Sequence, residues 1–179
     1  MNHLKIILYT SILAAIAVAI SVVEGFLPPL FAAAPGAKLG LANLVTVVCL
    51  FTLPTKNTIQ MLATRLLVTT LLLGTASTFM YSFAGSLLSF IAMLAIKQLG
   101  SRRVSVVGIS TVGGFFHNVG QLVVASLIAK SWAIMLYLPA LAILGVLAGI
   151  FNGIAGNFLL TRVKQLQKMN LMYHNKWIE

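Results

Sequence analysis

WAIMLYLPALAILGVLAGIFNGIAGNFLL, residues 132–160, carries no charged side chain. A helix needs roughly 20 apolar residues, at about 1.5 Å each, to cross ~30 Å of hydrocarbon. This stretch is long enough to do so with a tilt or an overhang. The rest of the chain is of the same kind. Hydrophobic residues make up 60% of the 179 and charged residues 8%, with a mean hydropathy of +1.03. That composition lies outside the range of soluble domains. The expected class is all-α: a polytopic integral membrane protein forming a single transmembrane domain over residues 1–179.

Five more apolar windows precede the quoted one, at 6–27, 39–53, 59–73, 80–96 and 104–129, of which 39–53 and 59–73 are short. With 132–160 they make six expected transmembrane helices, followed by a basic tail at 161–179. The separators are rich in turn formers and charge, as in Pro54-Thr-Lys-Asn57 and Lys97-Gln-Leu-Gly-Ser-Arg-Arg103. A charged flank at Lys5 and the Ala17-Val-Ala19 stretch also fit a cleaved signal peptide, but the apolar run continues to Leu27 and favours a retained span.

The chain has 12 basic and 2 acidic residues, a net charge of +10. In a membrane protein such an excess sets topology and meets anionic lipid, and does not imply a nucleic-acid partner. Six spans place Lys5, Lys56, Lys97, Arg102, Arg103, Arg162, Lys164, Lys168 and Lys176 on one side. Lys38 and Lys130 fall on the other, and Arg65 inside the third span. The positive-inside rule then predicts a multi-pass protein of the cell membrane with both termini cytoplasmic. The basic tail reads as a lipid-facing or solvated cytoplasmic helix.

Polar side chains at membrane depth are costly, and each is a functional candidate by default. Glu24 ends the first window, Asn43 lies one turn into the second, and Arg65 about two turns into the third. His117, Asn118 and Gln121 form an HNxxQ cluster in the fifth, with His117 and Gln121 on one helical face. Lys38 stands between the first two windows. Together these residues suggest a polar cavity opening outward that favours an anionic ligand such as a carboxylate or phosphate. Plainer roles compete. Arg65 and Glu24 can form a structural bridge, the HNxxQ amides can simply join helices, and Lys38 can snorkel to the interface.

Small residues form two strips. Ser11, Ala15 and Ala19 recur every four residues in the first window, and Gly145, Gly149 and Gly153 do so in the last. Both make smooth surfaces for close helix approach. The glycine strip suits packing inside the bundle, and the first-helix strip suits docking on a separate membrane subunit.

The chain contains no aspartate, so it has no Ser/His/Asp triad and no Asp-rich magnesium motif, and it has no Gly-rich phosphate loop ending in Lys-Ser/Thr. Catalysis by this polypeptide is therefore not expected, nor is a metal or cofactor. Cys49 is the single cysteine, and one bundle histidine is too few for bis-histidine haem ligation.

PGAKLGLANLVTVVCLF (35–51), Arg65 in the next helix, SFAGSLLSFIAM (82–93) and VGGFFHNVGQLVVA (112–125) together resemble the Gx transporter family, also labelled heptaprenyl diphosphate synthase component I. The resemblance runs from Glu24 to about Gly156. That family is similar to the substrate-binding S components of energy-coupling-factor transporters. The resemblance implies capture of a vitamin-like small molecule, with a transmembrane coupling subunit and ATPases as partners. It also implies docking through an Ala-xxx-Ala surface, which Ala15 and Ala19 match. In that picture the connection carrying Lys38 closes over the ligand.

Three functions follow as expectations. The first is a substrate-binding subunit of an importer for an anionic vitamin-, isoprenoid- or flavin-like molecule. The second is a non-transporting accessory subunit in quinone- or flavin-linked electron transfer or polyprenyl diphosphate synthesis. The third is a proton-coupled transporter acting alone, against which stands the lack of an inverted repeat.

Overall fold

The computed structural model describes residues 3–26 and 40–174, and they form an all-α bundle. Lys38 and the rest of the connection 27–39 lie outside the described residues. The helices are α1 (His3–Gly25), α2 (Asn43–Thr52), α3 (Thr55–Leu73), α4 (Ala76–Lys97), α5 (Val106–Ile128), α6 (Leu138–Arg162) and α7 (Lys164–His174). A 3-10 turn, Trp132–Tyr137, leads into α6. Thr75 and Ser105 cap α4 and α5, their hydroxyls accepting the Thr78 and Gly108 amides at 3.3 and 3.1 Å.

Four segments are long and apolar enough to cross a membrane: Leu4–Gly25, Ala76–Lys97, Val106–Ile128 and Trp132–Arg162. Their outward faces carry exposed Leu, Ile and Phe side chains, among them Ile12, Ile91, Leu147 and Phe158, which suits a lipid environment. The two windows read as short, 39–53 and 59–73, are not among these four. α3 has 19 residues, but its first turn is polar, Thr-Lys-Asn-Thr. α2 has 10 residues, and at 1.5 Å per residue about 15 Å of helix cannot cross the hydrocarbon. It is short because Gly40, at φ +83°, turns the chain before Asn43, and Pro54 follows its C-terminus.

α2 is instead an interior element. Every one of its residues except Leu44 is buried, which is how a short helix survives at membrane depth. Carbonyls near its end are bonded by side chains from three other elements. Lys97 Nζ donates to Leu50 O at 2.5 Å, Asn170 Nδ2 to Phe51 O at 2.7 Å, and Thr58 Oγ1 to Cys49 O at 3.3 Å. The Lys97 ammonium also sits 4.8 Å from the centre of the Phe51 ring. Lys97, expected as a loop charge, thus turns inward onto the negative end of a helix. The tail differs from expectation too: α7 buries Met169 and Asn170, so one of its faces is neither solvated nor lipid-facing.

The glycine strip of α6 packs within the bundle. A Cβ on Gly114 of α5 would lie 2.1 Å from Gly145 O, and one on Gly149 would lie 2.7 Å from Ser110 O. α5 and α6 therefore meet backbone to backbone. On the other side of α5, a Cβ on Gly120 would lie 2.6 Å from Ala84 O in α4. α5 is the central helix, and α4 lies along it while touching α3 only loosely.

Candidate functional site

α1, α3, α4 and α5 converge where α2 begins, and they enclose a polar cavity of about 30 Å³. Glu24, Asn43, Arg65 and His117 all line it, with Ser86 and Thr69 beside them. Four of the seven residues singled out in the sequence thus meet in one place.

Glu24 ties the end of α1 to the start of α2. Its Oε1 accepts the Gly40 amide N–H at 2.5 Å, which puts a carboxylate at the positive end of α2. The Gly40 carbonyl accepts from Asn152 Nδ2 of α6 at 3.0 Å. The left-handed backbone at Gly40 also brings it against α5: a Cβ there would sit 3.0 Å from His117 Cδ2 and 3.1 Å from Asn43 Nδ2. Gly40 is therefore held from three helices.

Arg65 is 4% exposed, and its guanidinium donates to the Ser86 hydroxyl through Nη2. A guanidinium is always charged and carries five N–H donors. Among the described residues no acceptor other than Ser86 takes a hydrogen bond from it. Asn43 Nδ2 and Thr69 Oγ1 are likewise buried without a hydrogen-bond partner. The cavity therefore concentrates unspent donors around one cation, and among the described residues its counter-charge on the cavity wall is Glu24. Such an arrangement is suited to a ligand that is anionic and rich in acceptors.

The HNxxQ residues divide. Gln121 Nε2 lies 2.7 Å from His117 Nε2, one turn along α5, and Gln121 does not itself line the cavity. Asn118 turns away, and its Nδ2 donates to Leu141 O of α6 at 2.7 Å, which joins helices and leaves the cavity. Ser11, Ala15 and Ala19 are exposed and line a separate groove between α1 and α3. Lys38 falls outside the described residues.

Sequence reasoning passed over Gly40, Ser86, Thr69 and Asn152. Gly40 and Ser86 sit inside blocks already notable in the sequence, LGLAN and SFAGSLLSF. Asn152 interrupts the glycine strip just before Gly153, and a polar residue inside such a strip was the available signal. Among the described residues no group of three or more His, Cys, Asp or Glu could hold a metal ion.

No curated protein and no solved structure matches the chain. One family description, "Heptaprenyl diphosphate synthase component I", matches residues 13–159. That stretch takes in all the cavity residues above and most of the bundle, so the chain belongs to the heptaprenyl diphosphate synthase component I family, the Gx transporter family that its sequence resembles.

Proposed function

We propose that this chain is the substrate-binding membrane subunit of a multi-component importer, and that its ligand is a small anionic molecule held at Arg65. The observation that carries the reading is the buried guanidinium with one hydroxyl acceptor, facing a cavity with further unpartnered donors. A purely structural arginine in a bundle normally spends its donors on acceptors, whereas the carboxylate facing Arg65, that of Glu24, accepts from the Gly40 amide and the guanidinium donates to Ser86. The exposed Ser11/Ala15/Ala19 strip is the surface on which a transmembrane coupling subunit, driven by ATPases, would dock. The termini face the cytoplasm of the cell membrane, with the cavity toward the outside. Thiol labelling of Cys49→Ser protein carrying Ser101→Cys or Ser131→Cys checks this orientation. Only Ser131→Cys should react with an impermeant reagent in intact cells, and the reverse pattern would refute it.

Native mass spectrometry of the purified protein tests the function. A stoichiometric small molecule that is released from wild type and missing from Arg65→Gln supports the importer subunit. A second reading, favoured by the family's name, is an accessory membrane subunit of a polyprenyl diphosphate synthase. An empty protein that raises the activity of a reconstituted synthase would select it.

A further inference from the structure

The polar cavity shares a wall with a second, apolar space. Between α3 and α4 runs a cleft of about 370 Å³, in which Ser86 is the single polar lining residue. Leu66 and Ser86 belong to both spaces. Since Ser86 is also the acceptor for Arg65, the guanidinium stands directly behind the cleft's one polar point. The outer rim, including Phe83, Leu87 and Ile91, is exposed on the lipid-facing surface. The larger groove between α1 and α3, about 660 Å³, shares no lining residue with the polar cavity. Of these two apolar spaces, the α3–α4 cleft is the one continuous with Arg65.

Size points the same way. The polar cavity, at about 30 Å³, has room for little more than water, and the space adjoining it is hydrocarbon-lined. From Phe83 to Leu94 the cleft runs about 16 Å along α4, the length of a chain of roughly a dozen carbons.

We propose that the ligand is an amphiphile: its anionic head group lies at Arg65, its hydrocarbon chain lies in the α3–α4 cleft, and it enters sideways from the bilayer past Ser86 and Leu66. The proposal rests on the reading of the polar cavity as a ligand site and adds the class of molecule. Phosphate and carboxylate heads share the required chemistry.

The test is equilibrium binding to the full chain in phosphatidylcholine nanodiscs, with dodecyl phosphate, methyl phosphate and dodecanol as probes. Dodecanoate and acetate, run in parallel, tell a carboxylate head from a phosphate head. Because a long chain also partitions into the bilayer, the informative quantity is the part of the affinity that cleft-filling variants remove. Dodecyl phosphate should bind at least tenfold more tightly than methyl phosphate. Ala63→Phe and Leu87→Trp, both at exposed positions, should each abolish that advantage and leave methyl phosphate unchanged, whereas Arg65→Gln should abolish binding of both phosphates. An advantage that survives both cleft variants, or dodecanol binding as tightly as dodecyl phosphate, would mean that the cleft holds ordinary bilayer chains, and the proposal falls. The cavity reading then still stands if methyl phosphate binding needs Arg65. It falls as well if no anion of either head type binds in an Arg65-dependent way.

Discussion

Glu24 Oε1 and the Gly40 amide meet at 2.5 Å across a sequence separation of 16 residues. This contact joins the last turn of α1 to the entry of α2, and the same carboxylate faces the cavity of Arg65. Glu24→Ala removes both the acceptor and the counter-charge, and should cost about 1–3 kcal/mol. Glu24→Gln keeps an oxygen for the Gly40 amide and should lose less. Thermal unfolding in detergent measures both, and an Ala variant as stable as wild type would remove the clamp from the account.

Gly40 and Gly100 have nearly the same backbone, φ +83° and +85°. Alanine in the left-handed region costs roughly 1–2 kcal/mol at either position. A Cβ at Gly100 meets nothing within 4 Å, whereas one at Gly40 meets His117 and Asn43 at 3.0 and 3.1 Å. Gly40→Ala should therefore destabilise more than Gly100→Ala, and it alone should weaken ligand binding. Equal losses would show that crowding against His117 is relieved without consequence.

Lys97 and Asn170 cap adjacent carbonyls, those of Leu50 and Phe51. Lys97→Met and Asn170→Ala should each cost about 1–2 kcal/mol, from one hydrogen bond and, for Lys97, its charge at a helix C-terminus. Because both groups hold the end of one helix, the double variant should deviate from additivity by more than ~0.5 kcal/mol. Strict additivity in chemical denaturation would mean that the two caps act independently.

At Gly114 the obstacle is main chain, with Gly145 O only 2.1 Å from an added Cβ. Side-chain rearrangement cannot relieve this, so α5 and α6 must separate. Gly114→Ala should cost upward of ~3 kcal/mol, among the large values that overpacking produces. A near-neutral result in thermal unfolding would mean that the two helices slide freely.

The cavity was legible to the extent that hydrocarbon makes polar residues conspicuous. Glu24, Asn43, Arg65 and His117 stand out in the sequence because nothing around them is charged, and they meet in space. Direction was not legible. Asn118 follows His117 directly, yet one residue is a turn of about 100° on a helix, enough to send its amide to Leu141 of α6. Ser86 was hidden because serine is cheap to bury in a helix and so carries little signal. Lys97 misled for the opposite reason: its charge marked a loop, while its flexible stem carries the ammonium back to α2. That the 39–53 window is short was legible, but its helix begins only at Asn43, after the left-handed backbone at Gly40, which apolar periodicity does not encode.

α2 has Gly40 bonded to Glu24 and Asn152 just ahead of its first turn, and Lys97 and Asn170 bonded to its last. A helix of ten residues is nearly incompressible along its axis. It is therefore a strut, and any ångström of travel imposed at the cavity must reappear at α7 or break one of those bonds.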